Sequence, residues 1–286
     1  MALTPSTTFA TTDDGARLAA HLVGDGDPLV CLPGGPMLDS DYLGDLGGLS
    51  AHRRLVLLDP RGTGSSDSSA DSSAYRCDRM VNDVEALRRH LGLDTLDLLA
   101  HSAGAKLAYR YAERHPDRVR RLVLVTPSVF ALGIAVPDEA RREISLLRVG
   151  EPWYAEAAAA LRSIQNGLAT AADWAVITPF TYGRWDNAAR TFDTRMESGR
   201  NPELAAAFVA DGAFDPGATR SALAVLDAPT LVLAGGWDLG NPPRVMARVA
   251  DLFCHGRFVV QPQAGHFPWV DDPDRFRELA ASFLDG

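Results

Sequence analysis

The chain has 286 residues, a formal net charge of −9 at pH 7 and a pI near 5.2. At 46% hydrophobic and 23% charged residues it has the makeup of one large globular domain, or a core plus an insertion, and is neither disordered nor fibrous. The acidic balance, with no basic stripe, argues against a nucleic-acid partner, and Cys31, Cys77 and Cys254 are too scattered for a disulfide framework or a metal site.

The opening stretch "MALTPSTTFATTDDG" has no basic segment followed by an apolar one, so no secretory leader is expected. No apolar run is long enough to span a bilayer. The expectation is a cytoplasmic protein that works away from membranes on a small molecule or short peptide. Residues 7–13 and 16–23 flank Asp14-Gly15, a hairpin signal. Residues 28–32 and 54–58 are continuous apolar runs, the mark of strands buried on both faces. Each runs into a Gly/Pro-rich loop, "PGGPM" and "DPRGTGSSD". Met80, Val84, Leu87 and Leu91 share one face of a helix that Gly92 stops. "TLDLLA" then reads as a strand, 103–114 as a helix and 121–127 as a strand.

This alternation predicts right-handed crossovers and a mostly parallel sheet flanked by helices, an α/β architecture. It breaks at residue 129. From there to about 218 the sequence is Ala-rich, dotted with aromatics and without a buried-strand pattern. Strand patterns resume at 229–236 and in "RFVVQP", with a helix between them over about 243–253. A closing helix has Asp272-Pro273 as N-cap and first residue. The expected organisation is a core over 1–128 and 219–286, with a helical lid over 129–218 inserted after the sixth strand.

Ligands of open α/β sheets bind outside the carboxyl ends of the strands. Four loops at such ends carry chemistry: "PGGPM", Ser102 in "AHSAG", Asp238 in "AGGWDLG" and His266 in "QAGHFPW". The chain order Ser, Asp, His is that of a nucleophile-elbow triad. A serine hydroxyl needs an adjacent base to attack at neutral pH. His266 would be that base, and Asp238 would fix its tautomer. The backbone N–H groups of Gly35 and Ala103 would hold the oxyanion, in a site that needs no metal or other cofactor. Ala100 and Gly104, two residues to either side of Ser102, are small, as a sharp elbow requires, although Ala100 departs from a strict G-x-S-x-G. Asp59 and Arg61 read as a structural turn, and His101 as a packing or hydrogen-bonding residue.

These residues resemble the α/β-hydrolase superfamily, and within it the proline iminopeptidase-like serine hydrolases. "PGGPM" stands at that family's His-Gly-Gly-Pro-Gly, "DPRGTGSSD" at its Asp-Gln-Arg-Gly-x-Gly-x-Ser, and "GHFPW" with "DDPDRF" at its histidine loop and last helix. Pro33 replaces the His of the Gly-Gly-Pro loop, Met37 replaces its last Gly, and the elbow is closer to that of general esterases. The resemblance implies an aminopeptidase-like activity. It also implies an acidic lid residue near tryptophans that anchors a substrate ammonium. Asp186, beside Trp185, is the candidate here, with helix capping as its other reading. An esterase, lactonase, thioesterase or cyclase of secondary metabolism would need the same triad. A non-hydrolytic lyase or a small-ligand-binding protein could share the fold.

Overall fold

A computed structural model describes residues 6–286; residues 1–5, part of the expected core segment and of the stretch read for a leader, lie outside the described residues. The strands are β1 (Ser6–Thr11), β2 (Arg17–Val23), β3 (Pro28–Leu32), β4 (Arg54–Leu58), β5 (Leu96–His101), β6 (Val119–Val125), β7 (Thr230–Gly235) and β8 (Gly256–Gln261). They form one sheet in the order β1-β2-β4-β3-β5-β6-β7-β8. The β1–β2 and β2–β4 pairs are antiparallel, and every pair from β4 to β8 is parallel.

The apolar runs are buried on both faces, and alternate residues divide between two cores. In β3, Val30 and Leu32 join one cluster while Leu29 and Cys31 join the other. The first cluster lies under α1 (Cys77–His90) and α2 (Gly104–Arg114), through Met80, Val84, Leu87, Ala105 and Ala108.

Six helices fill the stretch between β6 and β7: α3 (Asp138–Leu146), α4 (Tyr154–Gln165), α5 (Ala171–Val176), α6 (Asn187–Ser198), α7 (Pro202–Phe208) and α8 (Pro216–Leu223). Among the described residues this insertion contains no strand. It has no single core of its own. Ala131, Leu132, Ala140, Phe208, Ala213 and Leu223 belong to the cluster under α1 and α2, whereas Ile144, Ala157, Leu161 and Phe180 pack with Leu239. Buried Arg148 ties the insertion to the sheet. Its guanidinium lies between the rings of Trp153 and Trp237, 4.8 and 4.7 Å from their centroids.

The chain closes with α9 (Pro243–Ala250), the single turn α10 (Pro268–Asp271) and α11 (Pro273–Asp285). Val245, Met246 and Val249 of α9 join the first cluster, and Phe276, Ala280 and Leu284 of α11 join the second, on the opposite face. Asp272 caps α11 by accepting from the Arg275 amide. Among the described residues no helix is long and apolar enough to cross a membrane.

The sixth strand ends two residues earlier than the sequence suggests. Thr126 takes φ 42 and leaves the ladder; its N–H donates to the Leu233 carbonyl, and its hydroxyl to the His266 carbonyl. A residue that continues an apolar strand in sequence here turns to support a loop.

Candidate active site

Four loops meet at the carboxyl edge of the parallel strands. Ser102 follows β5 directly, with φ 51, a left-handed conformation costly for any residue with a Cβ. The turn is held by the Ser102 N–H on the Val125 carbonyl and by the Ser128 N–H on the Ser102 carbonyl. It is sharp enough that the neighbouring backbone admits no side chains. A Cβ on Gly104 would lie 2.5 Å from the Pro33 carbonyl oxygen, and one on Gly34 would lie 2.9 Å from the Ser102 Cβ.

The serine hydroxyl lies 2.8 Å from His266 Nε2. On the far side of the ring, His266 Nδ1 lies 2.8 Å from Asp238 Oδ2. Asp238 is buried, and its other oxygen accepts from the Gly240 and Asn241 amides at 2.9 and 3.0 Å. With both oxygens engaged, the carboxylate is held in one orientation against the imidazole. The His266 loop is held in turn: its N–H donates to the Thr181 carbonyl, and its carbonyl accepts from Thr126 Oγ1. Among the described residues the amides of Gly35 and Ala103 have no hydrogen-bond partner, so both remain free to donate to a developing charge. Ala103 also precedes α2, whose N-terminal dipole favours an anion there.

A cavity of about 680 Å³ opens above Ser102 and His266. Its far wall comes from the insertion. Trp185 lines it, but Asp186 does not: the Asp186 carboxylate accepts from the Ala189 amide and caps α6. Of the two readings open for Asp186, the structure displays the capping contact. The cavity carboxylates lie about two and three turns further along α6, at Asp193 and Glu197. Glu197 pairs with Arg200 at 2.6 Å. Asp193 has no ion-pair partner among the described residues and accepts from the Tyr182 hydroxyl at 3.0 Å. Burial pushes the Asp193 carboxyl above its usual range, and the Tyr182 hydrogen bond only partly opposes this. The sequence did hold a signal for this wall. Asp193, Glu197 and Arg200 follow one another at i, i+4 and i+7, one helical face, and a like-charge i, i+4 pair is otherwise unfavourable.

His101 is buried behind Ser102. Burial and the neighbouring His266 ring hold its imidazole well below the usual histidine range. Asp59 and Arg61 stay outside the cavity. Asp59 accepts from the Ser40 amide and hydroxyl and from the Ser65 amide, and Arg61 pairs with buried Asp83.

The alpha/beta hydrolase fold family matches residues 27–273. The chain is 24% identical over 273 residues to a proline iminopeptidase of Heyndrickxia coagulans, a match covering 92% of each. It is 27% identical over 276 residues to a 2-hydroxymuconate semialdehyde hydrolase of Pseudomonas putida, covering 94% of this chain and 91% of that one. Its fold is similar to the crystal structure of the proline iminopeptidase of Mycobacterium smegmatis, with a TM-score of 0.75 and 22% identity over 98% of both chains. The chain belongs to the alpha/beta-hydrolase family and is a hydrolytic enzyme, built on a mostly parallel sheet whose strand ends gather a serine, a histidine and an aspartate.

Proposed function

We propose that the protein is a serine hydrolase that cleaves an amide or ester bond of a small substrate through an acyl-enzyme, with an aminopeptidase-like preference for a substrate bearing a free amine. The observation that carries the mechanism is the unbroken Ser102–His266–Asp238 chain, with 2.8 Å at each link. His266 Nε2 takes the Ser102 proton as Oγ attacks the carbonyl carbon. The oxyanion is held by the Gly35 and Ala103 amides, each worth roughly 3 kcal/mol to the transition state. His266⁺, stabilised by Asp238, then protonates the leaving group, and the bond to it breaks. Water repeats the sequence on the acyl-enzyme and frees Ser102. The helical insertion over 129–218 acts as a lid that sets specificity.

The amine preference rests on Asp193. The cavity wall holds two carboxylates and one guanidinium, and Glu197 spends its charge on Arg200. That leaves one half-buried carboxylate for a singly charged ammonium, which Asp193 would bind better than Asp186. A second reading, an esterase for short apolar acyl groups, draws on the apolar side chains of the same cavity, among them Leu38, Trp174, Ile177 and Met196.

One experiment separates the two. Proline and alanine arylamides are compared with short p-nitrophenyl esters, in the wild type and in Asp193→Asn. The amine reading expects arylamide turnover and a KM for arylamides about 10-fold higher in Asp193→Asn, with ester kinetics unchanged. Turnover of esters alone would overturn the amine preference. A fluorophosphonate should label the wild type and leave Ser102→Ala unlabelled; unlabelled folded wild type would sink the serine mechanism.

A further inference from the structure

We infer that His101 and Tyr42 form a buried strut that sets the position of the oxyanion loop relative to the catalytic histidine, making His101 a positioning residue for the reaction. The inference rests on the serine-hydrolase reading above. Its basis is one run of hydrogen bonds. The Gly34 N–H donates to the Tyr42 hydroxyl oxygen at 2.6 Å. The Tyr42 hydroxyl lies 2.8 Å from His101 Nδ1, and His101 Nε2 lies 2.9 Å from the His266 carbonyl oxygen.

Only one arrangement of protons satisfies all three contacts. A carbonyl oxygen can only accept, so His101 Nε2 carries the proton. Neutral imidazole then offers a lone pair at Nδ1, and the Tyr42 hydroxyl donates into it. The tyrosine oxygen is left to accept from Gly34. Every donor in the run then meets an acceptor, and the direction runs from the Gly34 amide to the His266 backbone. Burial makes the alternative costly, because an unpaired polar atom here would meet no solvent. The His101 ring is also held by packing. Its centroid lies 4.8 Å from Trp269, edge to face, and 5.1 Å from Phe267. The ring therefore has little freedom to follow either loop, and instead fixes both.

The two ends of the strut matter to the chemistry. Gly34 immediately precedes Gly35, whose amide is the proposed oxyanion donor. The His266 carbonyl belongs to the residue whose ring is the proposed base, and the Thr126 hydroxyl braces the same oxygen at 2.9 Å. Oxyanion stabilisation and proton transfer need their groups placed to a fraction of an ångström. These two groups come from chain segments more than two hundred residues apart in sequence, and the Tyr42–His101 pair is a polar link between them.

The test uses the labelling rate with a fluorophosphonate and steady-state hydrolysis of p-nitrophenyl acetate. His101 borders the cavity but is almost fully buried, so His101→Leu should lower the labelling rate and kcat by about 10- to 100-fold while KM changes much less, as expected for misplaced catalytic groups. His101→Gln can present an amide oxygen to Tyr42 and an amide N–H to the His266 carbonyl, and should recover most of that loss. Tyr42→Phe removes the same strut from its other end. It should lower kcat by a similar factor, and the double variant should lose no more than the worse single one. Tyr42→Phe also serves where His101→Leu fails to fold. Equal rates for wild type and either apolar variant, or loss in His101→Gln as deep as in His101→Leu, would overturn the strut while leaving the hydrolase reading intact. Unlabelled folded wild type would overturn both.

Discussion

Gly104 offers a test in which two ordinary rules predict opposite signs. It opens α2, and no left-handed backbone is required of it. By helix propensity alone, Gly104→Ala should stabilise by up to about 1 kcal/mol. The tertiary structure opposes this. The new Cβ would lie 2.5 Å from the Pro33 carbonyl oxygen, 2.6 Å from the Leu32 carbonyl oxygen and 3.0 Å from the Leu32 carbonyl carbon. All three are backbone atoms, so no rotamer relieves the overlap, and the end of β3 must move by roughly half an ångström or more. Overpacking of this kind costs about 1–3 kcal/mol. Set against the propensity gain, the net expectation is a loss of up to about 2 kcal/mol, or up to roughly 8 °C in Tm. The segment that moves carries Gly35, so fluorophosphonate labelling should slow by up to ~100-fold. Gly217→Ala is the control. Gly217 lies in the first turn of α8, and its added Cβ would approach only the Asp215 Oδ1, at 3.4 Å, an ordinary contact. That substitution should stabilise by about 0.5 kcal/mol and leave labelling unchanged. Thermal melts and labelling rates of both variants decide the matter. If Gly104→Ala melts at or above the wild type and labels as fast, close backbone approach is not what keeps a glycine at the elbow.

The site and its surroundings yield further expectations. Asp238→Asn keeps an oxygen for the Gly240 and Asn241 amides but turns an N–H toward His266 Nδ1. The imidazole must then carry its proton on Nε2, facing Ser102, and can no longer act as a base. Hydrolysis of p-nitrophenyl acetate should fall by about 10⁴-fold with little change in Tm; a loss below 10-fold would remove Asp238 from the triad. Asp186→Ala removes the cap of α6 and should cost about 1 kcal/mol in thermal melts without changing turnover, whereas a rise in KM would restore Asp186 as an anchor. Glu85 provides a pH test. Hydrogen bonds from Arg88 and then Tyr111 hold its carboxyl down, from 4.5 to about 2. Its folded pKa lies below the unfolded one, so its contribution is complete above about pH 4.5 and drains away as the pH falls toward 2. Denaturant titrations between pH 7 and pH 3 should show a shallower loss for Glu85→Gln than for the wild type. Parallel curves would mean that the Glu85–Arg88 pair does not contribute.

The sheet and the candidate site were legible in the sequence for the same reason. A strand buried on both faces reads as an unbroken apolar run, and in a parallel sheet every such run ends on the same edge. Residues of unusual chemistry immediately after "PLVCL", "TLDLLA" and "PTLVLAGG" therefore had to converge, whatever the exact order of the strands. The errors at strand ends have local causes. Thr126 extends an apolar pattern yet leaves the ladder, because its N–H and hydroxyl are claimed by Leu233 and His266 across the sheet edge.

The cavity wall was harder to read, and Asp186 shows why. An acidic residue beside a tryptophan can face a pocket or cap a helix, and the local rule prevailed: Asp186 precedes α6 and its carboxylate is taken by the helix it begins. Asp193 faces the cavity because of how α6 lies across the insertion, and that depends on packing among helices with several apolar faces. Periodicity shows that such a helix has faces and leaves open what each one meets. Tyr42 and His101 make the same point within the core. Each is an ordinary residue of its own segment, and only the fold places a hydroxyl and an imidazole in line between Gly34 and His266. The proposed reacting groups sit where the backbone architecture alone sends them, so chain order exposes them. The groups that choose a substrate, or set the spacing of the reacting ones, depend on contacts between distant segments, and those are where substitutions will be most informative.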